Sequence, residues 1–289
     1  MTEATSMDAL SLNAEVAAAK SLSPFLRWAG GKRWLVPDIL KLLGETPVNR
    51  YHEPFLGGAS VFFALSPGGE VRLSDLNTDL ITVYRRVRDN PDGVAEILER
   101  YENTSDCYYS ARASNPATDD ELAGRFIYLN HTSYNGIYRV NLRGEYNVPY
   151  GNRSRTKMPD RESLEEVSRR LQGVELYGRS FEISLGDVNE GDLVFLDPPY
   201  TVAHNNNGFV KYNQHLFSFE DQKLLAKSIK EISDKGARFI LTNAAHKSIE
   251  ELFSPLGRKM TVARRNVIGG VNANRGRANE YVFTNIGAK

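Results

Sequence analysis

The chain has 289 residues, of which 41% are hydrophobic and 25% charged, and its basic and acidic residues balance to a formal net charge of zero. This composition is typical of a globular protein with a sizeable core, and the absence of any apolar run approaching roughly 20 residues argues against a membrane-spanning helix. Its single cysteine, Cys107, excludes a disulfide framework within the chain and favours a reducing compartment.

Residues 1–23 are rich in Ala, Ser, Thr and Glu and show little apolar periodicity. They predict a mobile leader, with a short helix over residues 14–20 and no chemical role. Glu3 and Asp8 stand where a secretory signal would be basic, so we do not expect export. Ordered structure is expected to begin at Pro24.

Two glycine turns follow. Gly30 and Gly31 precede Lys32, but Leu26 and Arg33 stand where a Walker phosphate-binding loop requires glycine and Ser or Thr. Residues 28–32 could form either a ligand-binding turn or a tight turn beside a buried tryptophan, and the sequence leaves both interpretations open. The second turn lies at residues 57–58, between a strand and an apolar helix.

The strand after the second turn, residues 71–75, ends in an acid. Asp75 lies near the offset of roughly 20 residues at which nucleotide sites place a carboxylate for the ribose hydroxyls. We therefore predict that Asp75 binds a ribose.

The β-α alternation disappears between residues 80 and 160. Apolar residues repeat at helical spacing over residues 94–101 and 122–129, which predicts a mainly helical insertion. Residues 130–139 then predict a hairpin loop, in which Asn135 and Arg139 suit contacts with base edges, and Tyr134 and Ile137 suit wedging between base steps. An Asn-Gly hairpin with inward-packed aromatics is the alternative.

Basic residues dominate residues 139–157, where Glu145 is the single acid, and residues 258–279 contain basic but no acidic residues. These stretches predict either a phosphate-facing surface or solvated loops. The five histidines are scattered and Cys107 stands alone, so we expect no metal site and a structural role for His131.

Residues 193–196 predict a strand buried on both faces, which stops at Asp197, Pro198 and Pro199. Prolines lack an N–H, so the carbonyls of this turn and the Asp197 carboxylate form a group of acceptors, and Tyr200 adds a flat ring. This arrangement suits a planar ligand with an exocyclic amino group, such as adenine or cytosine. The polar residues 201–208 predict either a loop over the site or a surface connection.

The remaining chain predicts a helix capped by Ser218 and Asp221 and ended by Gly236, then a strand over residues 238–243. Residues 260–265 and 280–285 predict two further strands on either side of the basic stretch. Together these elements predict an α/β fold with a mostly parallel, Rossmann-like sheet, an antiparallel last strand and the helical insertion.

Four segments carry a resemblance to a known family: DPPY at residues 197–200, FLRWAGGK at 25–32, EPFLGGA at 53–59 and NLRGEYNVPYG at 141–151. In this order they resemble the Dam-like, S-adenosylmethionine-dependent adenine-N6 DNA methyltransferases, the D12 class, alpha group. The resemblance covers most of the chain from residue 25 to about residue 281 and implies a class I methyltransferase fold. It implies double-stranded DNA as partner and S-adenosylmethionine as cofactor, with no metal.

The resemblance also implies roles for particular residues. The catalytic set is Asp197, Pro198, Pro199 and Tyr200. The cofactor set is Trp28, Lys32, Phe55, Gly57, Asp75 and Asp197. The DNA-binding set is Arg27, Tyr134, Asn135, Ile137, Arg139, Asn152 and Arg153. We expect residues 24–79 and 161–289 to form the catalytic domain and residues 80–160 to form the target-recognition insertion.

The expected reaction is direct methyl transfer to adenine N6, with Asp197 and the Pro198 carbonyl aiming the amino group and Tyr200 stacking on a flipped-out base. Methylation of cytosine N4 would require the same hydrogen-bond acceptors and is the first alternative. The second alternative is a DNA-binding regulator that has the same fold but no catalytic turnover. Cytosine-C5 chemistry is disfavoured, because Cys107 lies in the insertion without a preceding proline.

The recognised sequence is expected to be GATC-like. Asn152 stands where the family often has Arg, which leaves one base contact open. We expect a monomer in the cytoplasm, acting at the nucleoid, with more than one copy on a DNA site left open. Enzymes with biological roles in mismatch repair, restriction-modification or phage defence would contain the same catalytic motifs, so the motifs do not distinguish these roles.

Overall fold

The structure, a computed structural model, describes residues 21–141, 143–153, 156–200, 217–265 and 277–287. The predicted helix at residues 14–20, the loop at 201–208 and residues 266–276 of the basic stretch lie outside these ranges. Leu22 donates its N–H to the Phe63 carbonyl at 3.2 Å, so the chain is already attached two residues before the predicted start at Pro24.

The described strands form one seven-stranded sheet with the order β3-β2-β1-β4-β5-β7-β6. They are β1 Arg50–Glu53, β2 Glu70–Asp75, β3 Glu175–Gly178, β4 Leu193–Leu196, β5 Arg238–Ala244, β6 Arg258–Arg265 and β7 Arg277–Thr284. The first five strands are parallel, and β7 is antiparallel to both β5 and β6. The mostly parallel sheet with a final antiparallel hairpin is confirmed.

Helices cover the sheet. They are α1 Val36–Leu43, α2 Ser60–Leu65, α3 Thr78–Asp89, α4 Pro91–Glu99, α5 Ser105–Ala113, α6 Asp119–Thr132, α7 Arg161–Leu171, α8 Phe181–Gly186, α9 Phe219–Asp234 and α10 Lys247–Phe253. Short 3₁₀ turns lie at Arg33–Leu35, Tyr134–Gly136 and Ser254–Leu256. Polar caps fix several helix starts: Thr118 and Ser218 each form a capping box with the acid three residues on.

Helices α3 to α7 lie between β2 and β3, and the helical character predicted for this part of the chain is confirmed. The hairpin predicted at residues 130–139 is partly wrong, because α6 continues through Thr132 and Asn130 and His131 are buried in its last turn. The turn Tyr134–Gly136 follows, and antiparallel bridges join Val140 to Tyr146 and Ser133 to Tyr150.

The carboxyl ends of the parallel strands meet at one edge of the sheet. Strands β1 and β4 are neighbours there, although β2 and β3 lie between them in the chain. The crossovers leave in opposite directions from this point, and open α/β sheets bind ligands in the crevice that such a switch creates. Apolar side chains fill both faces, as the fully buried β4 shows, so the crevice has a rigid floor.

Candidate active site

Asp197 directly follows β4, at the switch point of the sheet. Its side chain is 21% exposed, and both carboxylate oxygens are oriented: Oδ1 accepts the Thr242 hydroxyl at 2.6 Å and Oδ2 accepts the Lys32 ammonium at 3.0 Å. Burial raises the pKa of Asp197, Lys32 and Thr242 oppose that effect, and the Glu280 carboxylate adds to it. The carboxylate is thus fixed in place while part of it remains exposed.

Lys32 is 2% exposed and lies among acceptors. Its ammonium donates to the Gly30 carbonyl at 2.7 Å, lies 3.7 Å from Glu280 Oε2 and sits 5.0 Å from the ring centroid of Tyr200. Its backbone N–H donates to Ser60 Oγ at 2.8 Å, which ties the first glycine turn to the start of α2. The lysine therefore connects the turn to the Asp197 carboxylate.

Tyr200 is half-buried and its hydroxyl donates to Glu280 Oε2 at 3.2 Å. Burial, followed by the nearby carboxylates of Asp197 and Glu280, raises the Tyr200 pKa well above its usual value, so the phenol stays protonated as a donor. Pro198 is buried and Pro199 half-buried. The structure brings together Asp197, Tyr200 and Lys32, which the sequence had assigned to catalysis and cofactor binding.

Glu53 ends β1, next to β4. It is buried, and its carboxyl accepts the Tyr51 hydroxyl at 2.8 Å. Burial raises the pKa of Glu53 to about 8, with the Tyr51 hydrogen bond opposing and the Asp197 charge adding to the effect. Glu53 therefore carries a proton at neutral pH.

Asp75 ends β2 and holds the second glycine turn. Its two oxygens accept the N–H groups of Gly57 and Asn77, each at 2.9 Å, and burial raises the pKa of this carboxyl. The next residue, Leu76, is 71% exposed. A carboxylate beside an exposed aliphatic side chain suits the hydroxyls and flat ring of a nucleoside.

Trp28 occupies the space that the glycines Gly57 and Gly58 leave open. A Cβ at Gly57 would lie 2.7 Å from Trp28 Nε1, and one at Gly58 would lie 2.7 Å from Trp28 Cβ. Gly57 also has φ +47°, which disfavours other residues. The close approach expected for a ligand is thus made by an indole, which stacks in turn on Tyr138 at 5.7 Å. Phe55 stacks on Phe181 at 5.5 Å.

Asn130 joins the insertion to the first glycine segment. Its side-chain carbonyl accepts the Arg27 N–H at 2.8 Å, and its side-chain amide donates to the Arg27 carbonyl at 2.8 Å and to the Gly136 carbonyl at 3.4 Å. A Cβ at Gly136 would lie 2.9 Å from the Arg27 side chain. Arg27 is therefore held against the turn that carries the predicted DNA contacts.

That turn exposes Tyr134 (51% exposed) and Asn135, whereas Ile137 is half-buried. Asn135 adopts a left-handed φ of 57°. Arg139 is exposed and donates to the side-chain carbonyl of Asn147 at 2.7 Å. These positions leave Tyr134, Asn135 and Arg139 accessible to a partner.

The last two predicted DNA contacts differ from each other. Asn152 is exposed with φ 46°. The Arg153 guanidinium is turned inward and donates to the carbonyls of Ser133 at 2.8 Å and His131 at 3.4 Å. His131 itself has its two ring nitrogens beside the carbonyls of Phe25 and Lys157, at 2.8 and 3.2 Å, as a structural residue would.

Sequence reasoning missed Thr242, Glu280 and Glu53. Thr242 lies in a predicted strand, and Glu280 is the first acid after the basic stretch, but neither signal indicates which side chains meet across a sheet. Within the described ranges no group of His, Cys, Asp and Glu could hold a metal ion. None of the helices described here is long and apolar enough to cross a membrane.

Comparison with known proteins gives a consistent result. The family model for D12 class N6 adenine-specific DNA methyltransferases matches residues 28–267. The chain is 34% identical to the Type II methyltransferase M1.LlaDCHI of Lactococcus lactis subsp. cremoris, over 92% of this chain and 96% of that protein. It is 33% identical to the Type II methyltransferase M.MjaIII of Methanocaldococcus jannaschii (85% and 93%) and 33% identical to the DNA adenine methylase of Escherichia coli (76% and 80%).

Proposed function

The chain belongs to the D12 class N6 adenine-specific DNA methyltransferase family, and from that membership we propose that Asp197 and the Pro198 carbonyl grip the adenine amino group during methylation. The family implies adenine-N6 methylation of DNA, with S-adenosylmethionine as methyl donor. The observation that carries the proposal is the partly exposed Asp197 carboxylate, oriented by Thr242 and Lys32 at the switch point of the sheet.

The described residues fit the cofactor. Asp75, Leu76 and the turn at Gly57 offer a ribose acceptor and an apolar surface at the end of β2, and Lys32 offers a cation for the cofactor carboxylate. We assign Trp28 and Phe55 to the walls of the same pocket, since Trp28 packs against Gly57 and Gly58, and Phe55, two residues before Gly57, stacks on Phe181. S-adenosylmethionine supplies an activated methyl group when it is bound there.

Asp197 and Pro198 act on the nucleophile. The exocyclic amine of adenine is a weak nucleophile, because its lone pair is delocalised into the ring. Hydrogen bonds from its N–H groups to the Asp197 carboxylate and the Pro198 carbonyl favour a pyramidal nitrogen and aim the lone pair at the methyl carbon. Catalysis therefore consists of orientation and charge stabilisation by this chain's own groups.

Target binding is assigned to the insertion. N6 lies inside duplex DNA, so the base has to flip out, and we assign the stacking on it to the half-buried ring of Tyr200. We propose residues 80–160 as the target-recognition part and residues 24–79 with 161–289 as the catalytic part. Tyr134, Asn135 and Arg139 supply exposed contacts, supported by Arg27, Ile137 and Asn152.

We assign Arg153 to the support of the recognition turn rather than to a direct contact, because its guanidinium donates to two carbonyls of the turn. The recognised sequence is proposed to be GATC-like, read by a monomer at the nucleoid. A second copy on the same DNA site is not required by this arrangement.

The test is incubation of unmethylated duplex DNA containing GATC sites with labelled S-adenosylmethionine, followed by nucleoside analysis. Wild-type protein is expected to place the label on adenine N6, and Asp197→Ala is expected to lower the rate by about 10³-fold, as loss of a preorganised group at the reacting atom does. Label on cytosine, or full activity of Asp197→Ala with retained folding, would contradict the proposal.

A further inference from the structure

One buried ammonium lies beside two carboxylates in the active site. Lys32 Nζ is 3.0 Å from Asp197 Oδ2 and 3.7 Å from Glu280 Oε2. Building on the proposed function, we propose that Glu280 is a positioning residue for methyl transfer: its charge keeps Lys32 from neutralising Asp197, and its carboxylate orients Tyr200.

The sheet register places Glu280 for this role. Glu280 lies on β7 opposite Ala244 of β5, one strand beyond Thr242, which binds Asp197. Its side chain is 7% exposed and accepts the Tyr200 hydroxyl at 3.2 Å. The antiparallel strand β7 therefore supplies a buried second carboxylate beside Lys32, in addition to Asp197 at the end of β4.

The balance of charges follows from these contacts. Glu53, which also faces Asp197, carries a proton at neutral pH because its pKa is raised to about 8. Asp197 and Glu280 then supply two negative charges against the single positive charge of Lys32, with the neutral phenol of Tyr200 beside them. Without Glu280, the pair of Lys32 and Asp197 has no net charge.

The reaction needs that net negative charge. The bond from N6 to the methyl carbon forms as the bond from that carbon to sulfur breaks, and the sulfur keeps the electron pair. Positive charge thus moves from sulfur to N6, which afterwards loses one proton to Asp197 and from there to solvent. A cluster with net charge −1 stabilises the developing cation, whereas a neutral pair of Lys32 and Asp197 stabilises it less.

Two variants separate the charge from the orientation of the ring. Glu280→Gln removes the charge but keeps an oxygen that can accept the Tyr200 hydroxyl. Tyr200→Phe removes that hydrogen bond and keeps the charge. Glu280→Asp keeps the charge with a shorter side chain and serves as the conservative rescue.

A second cluster of the same residue types, which includes Tyr281 of β7, offers a control. Glu250 binds Lys259 and accepts the Tyr281 hydroxyl at 3.3 Å, and Lys259 lies 4.8 Å from the Tyr281 ring centroid. This second cluster of Glu, Lys and Tyr joins α10, β6 and β7, and its tyrosine is the residue after Glu280. Its lysine and glutamate are more exposed than Lys32 and Glu280. Glu250→Gln therefore removes a carboxylate from a Glu, Lys and Tyr cluster that has no catalytic assignment.

The experiment measures the single-turnover rate of adenine methylation against pH, with saturating S-adenosylmethionine and GATC duplex. Glu280→Gln is expected to lower the rate about 10- to 100-fold with DNA and cofactor affinities nearly unchanged, and Glu280→Asp to recover part of it. Because Glu280 raises the Asp197 pKa, its neutralisation is expected to move the acidic limb of the profile to lower pH. Tyr200→Phe should lower the rate without this shift.

Glu250→Gln is expected to match the wild type in rate and in pH profile. A folded Glu280→Gln protein with wild-type rate and profile, or an equal rate loss in Glu250→Gln, would overturn the role of Glu280. If Glu280→Gln does not fold, the pH profile of Glu280→Asp tests the proposal. Because Glu280→Asp keeps a negative charge at position 280, the acidic limb of its rate profile must lie at the same pH as that of the wild type. A wild type that leaves adenine unlabelled, or an active Asp197→Ala, would instead refute the proposed function itself.

Discussion

Glu53 shows how a single buried carboxyl links the active site to stability. It lies between Tyr51, which donates a hydroxyl to it, and Asp197, whose charge it faces. Burial disfavours its ionised form, so the folded protein holds a proton there that an unfolded chain would release at neutral pH. The pH dependence of folding should therefore report on this one group.

The first prediction concerns Glu53→Gln. The folded pKa of about 8 lies above the ordinary 4.5, so the stabilisation from the bound proton is complete below pH 4.5 and is lost as the pH rises through 8. Between about pH 5 and about pH 9 the wild type should therefore lose on the order of 3 kcal/mol more than Glu53→Gln. Urea unfolding of both proteins across this range measures the difference.

A glutamine at position 53 keeps an acceptor for the Tyr51 hydroxyl, so the variant differs from the wild type chiefly in its lack of a titrating proton. Parallel stability curves for the two proteins would show that Glu53 ionises normally in the folded state and would remove its assignment as a protonated acid.

At the same scale, the sequence predicted only part of the site. Asp197, Tyr200 and Lys32 belong to motifs whose residues are close in the chain and whose chemistry is recognisable. Thr242 and Glu280 were missed because their contacts depend on strand neighbours and register, which local sequence does not specify. Trp28 was assigned to the cofactor, but its packing against two glycines became visible only in three dimensions.

Among the elements, the end of α6 is tied to the first glycine segment by Asn130 and His131. Asn130 is buried and binds both backbone groups of Arg27, so it attaches α6 to the first glycine segment. Among the described contacts between α6 and this segment, only the Asn130 side chain binds both the N–H and the carbonyl of one residue. The orientation of the recognition turn should depend on it.

Asn130→Ala is the second prediction. The substitution leaves the Arg27 N–H without its acceptor and is expected to lower the free energy of unfolding by about 2 kcal/mol. It should also raise the KM for DNA while cofactor affinity changes little, because Arg27 and the turn at Gly136 lose their common anchor. Chemical denaturation and steady-state kinetics measure the two effects.

Glu96→Ala, an exposed substitution on α4, controls for a general effect of changing the insertion. An Asn130→Ala protein with the wild-type KM for DNA would contradict the role of Asn130 in orienting the turn, even if its stability falls.

Element boundaries explain where prediction succeeded and where it did not. The helix from Phe219 to Asp234 was predicted from Ser218, Asp221 and its apolar spacing, because capping is a local interaction. The end of α6 was placed too early, since residues 130–132 read as polar loop residues. The side chains of Asn130 and His131 bind distant carbonyls of the glycine segment, and the Thr132 hydroxyl donates to the Tyr128 carbonyl one turn back. Tertiary structure therefore lengthened the helix.

For the whole molecule, zero net charge coexists with an expected DNA-binding face. Arg27 and Arg153 lie close enough for each to affect the other, and both burial and Arg153 lower the pKa of Arg27. Like charges held together in this way cost stability unless a negative partner offsets them. DNA phosphates would supply that partner, so binding should depend on salt despite the neutral sum.

The third prediction follows for Arg139→Ala. Arg139 begins the basic stretch of residues 139–157, the candidate phosphate-facing surface. Loss of its exposed charge is expected to weaken DNA binding and to reduce the slope of log K against log salt by about 1. Lys227→Ala, an exposed charge on α9, should leave the slope unchanged. Fluorescence titrations at several salt concentrations measure both. Equal slopes for Arg139→Ala and the wild type would remove Arg139 from the phosphate contacts.

The fold class was predictable because β4 and the centre of β5 are short apolar runs and the glycine and proline turns mark where elements end. The helical insertion was predicted from the loss of β-α alternation after β2. What the sequence did not supply was the neighbour relation of β1 and β4, which brings Glu53 beside Asp197, or the position of β7 between β5 and β6.

That position of β7 bears on how the protein is made. Strand β6 pairs only with β7 among the described strands, and Glu280 reaches Lys32 only from β7. A nascent chain on the ribosome cannot complete this side of the sheet until the codons up to Thr284 have been translated. A nonsense mutation shortly before residue 277 is therefore expected to abolish methyltransferase activity as fully as a nonsense mutation near the start codon.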